Sequence, residues 1–262
     1  MNVLSEILTN KRAEVAARKT ARPLAELKGS AEAAHRPDFV AALRRPPIAL
    51  IAEVKHKSPS AGVIRSPFDP VSIARDYATA GAHALSVLVD ERYFGGGEHI
   101  LRAVRGAVDL PLLYKEFVVD EWQVWHAAAC GASAVLLIVA ALTPDELGRL
   151  LDACDAAQIE PLVEVHDERE ADVAVATGAR VIGVNNRNLD TLQTTLATTP
   201  RLRPRIPDDR LLVGESGIRT AADVIQLRAV GAQAVLVGEH LLKQPDLIKA
   251  VRDLMAPAWS LR

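Results

Sequence analysis

The chain has 262 residues, 49% of them hydrophobic, 24% charged and 4% aromatic, with a formal net charge of −2. This is an ordinary globular composition with enough length for a large core, and it lacks the basic block that nucleic acid or an anionic membrane surface selects. The opening stretch MNVLSEILTNKRAEVAARK is charged rather than built around an apolar centre, and no run approaches a membrane span, so a cytoplasmic protein is expected.

In chain order, LSEILTNKRAEVAARK reads as an amphipathic helix, and the stretch up to Pro46-Pro47 as an extra segment packed on the main body of the fold. From residue 48 onward strand-like and helix-like runs alternate. Strands are expected over 48–54, 84–89, 111–115, 134–139, 161–165, 180–185, 210–214 and 234–237. Helices are expected over 70–80, 98–106, 120–130, 143–156, 167–177, 219–230 and 245–255. Thr143-Pro144-Asp145-Glu146, Asp120-Glu121 and Thr220 carry helix-start chemistry. Gly81, Gly131, Gly178 and Gly231, each next to an alanine, mark helix ends.

Eight such units without a dinucleotide fingerprint favour an α/β fold closed into a (β/α)8 barrel over an open sheet. Gly95-Gly96-Gly97 lacks the fingerprint spacing and reads as a mobile loop leading into a helix. No linker interrupts the chain, so one domain is expected over 1–262, with a helical extension at 1–47 and the barrel at 48–262. Cys130 and Cys154 fall in helical patterns without metal or redox spacing and read as reduced packing cysteines.

Five of the apolar runs break off into a charged or amide residue: IALIAEVKHKSPS, PLLYKEF, PLVEVH, VIGVNN and LLVGESG. A buried strand has no reason to end on an unpaired charge, which costs several kcal/mol. A shared site at one edge of a parallel sheet gives all five a reason, and that edge is where such barrels keep their chemistry. Side chains two apart share a strand face. Glu53 therefore pairs with Lys55, Lys115 with Phe117, Glu164 with Leu162, Asn185 with Arg187 and Glu215 with Val213, while alternation sends Glu116 outward to the helix layer. The fourth strand ends apolar at Leu136 to Val139. Salt bridges that merely close the barrel mouth are the simpler alternative for any one of these charges. Mixed glutamate and lysine in a water-poor mouth also tunes groups for proton transfer.

The last two strands run into glycine turns, Val213-Gly214-Glu215-Ser216-Gly217 and Val237-Gly238-Glu239. Loops at these positions bind phosphate in barrels through backbone N–H groups; tight turning alone is the other explanation. Ser58-Pro59-Ser60 is by default a plain loop. His35, His83, His99 and His126 read as surface or helix-packing residues, and His166, two after Glu164, stands beside the candidate set. With no His/Asp cluster at metal spacing and no nucleophile elbow, proton transfer without a metal is the chemistry left.

Seven motifs, taken together and in order, resemble indole-3-glycerol-phosphate synthase, a tryptophan-pathway enzyme family. They are IAEVKHKSPSAGVI, YFGG, LLYKEF, LVEVHDERE, IGVNNRNLDT, VGESGI and VLVGE. The resemblance implies a (β/α)8 TIM barrel with an N-terminal helical extension over its mouth. It implies as substrate 1-(o-carboxyphenylamino)-1-deoxyribulose 5-phosphate, which closes its ring with loss of CO2 and water. Lys115 would then be the general acid of ring closure, and Glu164 and Glu53, with Lys55 nearby, the groups of dehydration. Ser58, Asn185, Arg187 and Glu215 would bind and orient substrate, and Phe94, Phe117 and Leu136 would enclose its aromatic ring. Ser216, Gly217, Gly238, Glu239 and Lys55 would receive the phosphate.

No cofactor or metal is implied, and other tryptophan-pathway enzymes become the candidates for protein partners. Ala61, Glu116, Ser133 and His240 depart from the family pattern, none of them at a catalytic position. A phosphoribosylanthranilate isomerase would need a Cys/Asp pair at strand ends, where neither cysteine stands. A barrel that only binds a phosphometabolite would leave a gap in the charged set.

Overall fold

Eight parallel strands close into a barrel: β1 (Ala49–Val54), β2 (Ala84–Leu88), β3 (Leu112–Lys115), β4 (Ala134–Ile138), β5 (Glu160–Val165), β6 (Val181–Asn185), β7 (Leu211–Glu215) and β8 (Ala234–Val237). Hydrogen bonds run round the ring from β1 through β8, β7, β6, β5, β4 and β3 to β2, which pairs again with β1. The computed structural model describes residues 3–45, 47–189 and 191–260; Pro46 of the expected N-terminal segment and Asp190 of the IGVNNRNLDT motif lie outside it. Every strand end falls within one residue of its expected place, because burial on both faces produces the apolar runs from which the strands were read.

Helices fill the connections. They are α1 (Val3–Ala21), α2 (Leu24–Glu32), α3 (Phe39–Leu43), α4 (Pro70–Ala80), α5 (Glu91–Phe94), α6 (Glu98–Ala107), α7 (Glu121–Ala129), α8 (Pro144–Ala157), α9 (Glu168–Ala176), α10 (Thr198–Leu202), α11 (Ala221–Ala229), α12 (Glu239–Leu242) and α13 (Leu247–Trp259). The expected start signals act as caps. Thr143 and Thr220 close capping boxes with Glu146 and Asp223, and the Asp120 carboxylate accepts from Trp122 N–H. Gly81, Gly131, Gly178 and Gly231 all take positive φ, the left-handed step that ends a helix and turns the chain into the next strand.

Three features were not drawn from the sequence. The Ser-Pro-Ser stretch is the tip of a short hairpin pairing Lys57-Ser58 with Gly62-Val63, not a plain loop. The glycine run at 95–97 is preceded by the short helix α5. Between β6 and β7 the chain makes a long excursion, pinned by a bridge between Arg187 and Thr194, before the short α10.

Two apolar layers result. One lies between sheet and helices. The other fills the barrel with alternate strand residues such as Ile51, Leu113, Leu162, Val213 and Leu236. Phe39 and Leu43 of α3 join that inner layer beside Ala49, Ala84, Ala134 and Leu211, the first residues of their strands, and plug the barrel floor. The open end is thereby the carboxyl end of the strands. Among the described residues no helix is long and apolar enough to cross a membrane.

Truncating the plug should leave a cavity the strand ends cannot collapse into. Phe39→Ala is expected to lower unfolding free energy by about 3–5 kcal/mol in urea denaturation; a loss below about 1 kcal/mol would mean that the floor is held by other contacts.

Candidate active site

Glu53, Lys115, Glu164 and Glu215 come from β1, β3, β5 and β7, the alternate strands that a barrel places in one layer of inward side chains. Below each sits an apolar residue of the inner layer two positions earlier: Ile51, Leu113, Leu162 and Val213. The uppermost layer of the barrel core is thus made of charge. Gly183 and Gly238 on and after the neighbouring β6 and β8 make room for it, since a Cβ at Gly183 would overlap Glu215 Oε1 and one at Gly238 would overlap Glu53 Oε1.

Lys115 Nζ is the centre. It lies 2.8 Å from Glu215 Oε2 and 3.1 Å from Glu164 Oε2, with both glutamates 2% exposed. Burial disfavours the ammonium, but Glu215, Glu164 and Glu53 together hold its pKa above the ordinary lysine value. The two glutamates are not equivalent. Glu164 uses both oxygens, one on Lys115 and the other accepting from Asn185 Nδ2 at 3.2 Å, with His166 Nε2 also 3.2 Å away. Glu215 uses one, and its Oε1 has no hydrogen-bond partner among the described residues. Burial favours the neutral acid in both, yet Lys115, His166 and Asn185 outweigh it at Glu164 and hold that group well below the carboxylate range. At Glu215 burial wins over Lys115, and the nearby Glu164 charge adds to it, so the pKa is pushed up to about 7.

A second pair stands beside this one: Lys55 Nζ lies 2.5 Å from Glu53 Oε1. Around both pairs opens a cavity of about 560 Å³. All the expected site residues line it: Glu53, Lys55, Ser58, Phe94, Lys115, Phe117, Leu136, Glu164, Asn185, Arg187, Glu215, Ser216, Gly217, Gly238 and Glu239. Phe94 and Phe117 face one another with ring centroids 6.1 Å apart and, with Leu136, make an apolar wall. Away from that wall are the turns after β7 and β8. There Ser216 (φ 64°) and Gly217 (φ 80°) are both left-handed, and Arg187, Arg219 and Lys243 also line the space. Glu239 is bonded to Lys243 at 2.6 Å, so the side chain is already neutralised by a neighbour. Asn186 braces this corner by donating to the carbonyls of Glu215 and Ser216.

Glu116 requires a correction. Alternation sends it outward to the helix layer, but β3 ends at Lys115 and the pleat ends with it. Glu116 is 4% exposed, lines the same cavity, and bonds Lys11 Nζ of α1 at 2.9 Å. Asp90 lies 2.9 Å from the same ammonium. Burial pushes Glu116 up to about 7 against the pull of Lys11. Burial also opposes the Lys11 charge, but Glu116, Glu14 and Asp90 outweigh it and raise its pKa. Lys11, Asp90 and the cavity-lining Leu4 and Ile7 carry no sequence signal beyond ordinary helix and loop positions, whereas Asn186 ends the run VIGVNN beside the expected Asn185. Of the other three departures from the family pattern, His240 lines the cavity, Ala61 lies in the hairpin, and Ser133 sits just before β4 at the far end of the barrel.

Away from the mouth, Glu98, His126 and Cys130 bring one ligand atom each within 4.8 Å of one another. They already form a closed network. His126 bonds Glu98 and Tyr114, Glu98 bonds Arg102, and burial pushes the Cys130 thiol up to about 12. A guanidinium on the carboxylate and a protonated thiol make this a packing cluster. Both cysteines are free and buried.

Fold and site together define a (β/α)8 barrel with paired, buried carboxylates and lysines at the carboxyl ends of its strands. A model of the indole-3-glycerol phosphate synthase family matches residues 4–254. An indole-3-glycerol phosphate synthase of Roseiflexus sp. (strain RS-1) is 49% identical over 262 residues, covering 96% of this chain and 97% of that protein. One from Azospirillum brasilense is 46% identical over 260 residues, covering 97% and 99%. The chain belongs to the indole-3-glycerol phosphate synthase family. Among solved structures, a 3-hexulose-6-phosphate synthase superposes with a TM-score of 0.61 at 16% identity, over 80% of this chain and 99% of that one, a likeness of fold alone.

A glutamate whose folded pKa is raised to about 7 takes up a proton that the unfolded chain, near the ordinary 4.5, does not. Its own contribution to stability is therefore lost as pH rises from about 4.5 to about 7. Relative to the unaltered protein, Glu215→Gln should fare better at pH 8 than at pH 5 by on the order of 2 kcal/mol in urea titrations. An equal effect at both pH values would make Glu215 an ordinary ionised carboxylate.

Proposed function

We propose that the chain converts 1-(o-carboxyphenylamino)-1-deoxyribulose 5-phosphate into indole-3-glycerol phosphate, with loss of CO2 and water. Family membership supports the reaction, and the observation that carries the assignment of roles is the Lys115 ammonium, fixed between two buried carboxylates at the centre of the cavity. In ring closure the aryl carbon bearing the carboxylate attacks the ketone carbon, and negative charge develops on the ketone oxygen. Lys115, held charged, stabilises that oxygen and delivers its proton there. Loss of CO2 then returns its bonding electrons to the ring.

Dehydration removes the new hydroxyl as water and a carbon-bound proton with it. Glu164 and Glu53, with Lys55 2.5 Å from Glu53, are the acid and base groups for this step. Phe94, Phe117 and Leu136 take the aromatic ring. Ser58, Asn185, Arg187 and Glu215 orient the chain of the substrate and the lysines. The phosphate is received by the turns at Ser216, Gly217, Gly238 and Glu239 through backbone donors, with Lys55 in reach of the same end. No metal or cofactor enters this chemistry, and a cytoplasmic location suits it. Other tryptophan-pathway enzymes are the natural partners for a protein with this product.

Mixing the protein with the carboxyphenylamino substrate and following indole fluorescence tests the reaction. Turnover is expected, unchanged by chelator; folded protein that yields no indole product would refute the reading, and loss of turnover on chelation would refute its metal-free form. Lys115→Met should lower kcat by about two orders of magnitude or more, the scale of a lost general acid, with unchanged circular dichroism. A near-wild-type rate would remove Lys115 from this role.

A further inference from the structure

His166 comes directly after the last residue of β5, outside the cavity lining and outside the set of residues expected from the sequence. Its ring lies between two carboxylates. Nδ1 is 2.9 Å from Glu170 Oε2, and Nε2 is 3.2 Å from Glu164 Oε1, close enough for an ion pair though off the line of a good hydrogen bond. A neutral imidazole has a single N–H, so one of its nitrogens would present a lone pair to a carboxylate oxygen. Only the doubly protonated imidazolium faces both carboxylates with N–H. The side chain is 11% exposed, which leaves little water to substitute for either partner.

The surroundings fix this arrangement. Glu170 Oε2 also accepts from the His166 backbone N–H at 2.8 Å, and the Glu170 N–H is bonded by Asp167 at the start of α9. The carboxylates against the ring are Glu164 from β5, with Lys115 beyond it, and Glu170 from α9, whose start also carries Asp167, bonded to the Glu170 N–H, and Glu168. From α10 comes Arg201, which bonds Glu168 and the His166 carbonyl. Asn185 of β6 shares Glu164 Oε1 with the imidazole.

We infer that His166 is a positioning residue, whose imidazolium, seated between Glu164 and Glu170, keeps Glu164 ionised and turned so that its other oxygen meets Lys115. Glu164 is then the carboxylate maintained as base in the resting site, and Glu215, which lacks a second cation, is the one free to carry a proton. This rests on the reading of Glu164 as an acid–base group, and it resolves which of the Lys115-bound carboxylates starts in which form. The titration directions agree: His166 is raised to about 10 because Glu164 and Glu170 outweigh the burial that lowers it, and Glu164 and Glu215 are split in the sense described.

The test has two arms. In protein labelled with 15N-histidine, the His166 ring, assigned by its loss in His166→Asn, should show both nitrogens protonated at pH 8. A neutral ring at that pH would overturn the inference whatever the enzyme turns over. In kinetics, losing the cation raises the Glu164 pKa, so the acid limb of the kcat/KM profile in His166→Gln should move up by about one pH unit. At pH 7, where Glu164 stays ionised in the variant too, kcat should still fall roughly tenfold because its other oxygen is no longer turned to Lys115, with KM within about twofold, since His166 does not touch the substrate space.

Glu170→Gln should shift both the His166 titration and the acid limb in the linked directions, the ring downward and the limb upward, and it serves if the His166 variants fail to fold. Folded variants with an unmoved acid limb would overturn the positioning role. Absence of turnover in the unaltered protein would count against the proposed reaction, and the NMR arm then decides His166 by itself.

Discussion

A single ammonium shared by two buried carboxylates is the constraint on which this mouth depends. Lys115, Glu164 and Glu215 reach one point because β3, β5 and β7 contribute to one layer, and the two carboxylates draw on the same ammonium there. Removing one member of such a group strands the others as uncompensated buried charge, which costs several kcal/mol. The group also cannot be symmetric. Three formal charges leave one carboxylate in excess, and the fold decides which by distributing further donors unequally. Asn185 and His166 attend Glu164, while Glu215 Oε1 faces the bare backbone of Gly183. Environment separates two chemically identical side chains into an ionised one and one poised near neutral pH.

The N-terminal helix repeats the device on the neighbouring residue. Glu116 sits next to Lys115 in the chain but turns the other way, to Lys11, which also meets Asp90 beyond the end of β2. One ammonium thus ties the chain ends of β2 and β3 to α1. A buried ion cluster of this kind is a poor source of net stability, because desolvation offsets most of the attraction. Its use is positional: α1 is registered over the cavity so that Leu4 and Ile7 cover part of the opening. Covering the mouth lowers the local dielectric and strengthens every charge interaction beneath, including those of Lys115.

Legibility in the sequence extends as far as the pleat does. Glu53, Lys115, Glu164, Asn185 and Glu215 all lie on strands, where a period of two assigns a face without knowledge of any neighbour. Glu116 lies one residue past its strand, and the same rule misplaced it. Lys11 was illegible for a different reason: its partner is 105 positions away, and on a charged helix a lysine that will be buried looks like any other. Gly183 belongs to the same class, since its lack of a side chain matters only because Glu215 occupies the space. His166 stood beside the candidate set, but what distinguishes it is Glu170 on the next helix, a contact that neither strand nor helix periodicity encodes.

The ring order gives this mouth two unlike sides. In an eight-strand barrel β3 and β4 lie across from β7 and β8, so the apolar wall at Phe117 and Leu136 and the glycine turns at Ser216 and Gly238 are held on opposite sides by closure itself. Between them, the layer from β1, β3, β5 and β7 puts Lys115 and Glu164 towards one side and Glu53 and Glu215 towards the other. A molecule with an aromatic group at one end and a phosphate at the other would be stretched across the charged layer, its reacting carbons above Lys115. The distance between the apolar wall and the glycine turns is a property of the closed sheet and needs no contact with the charged layer between them.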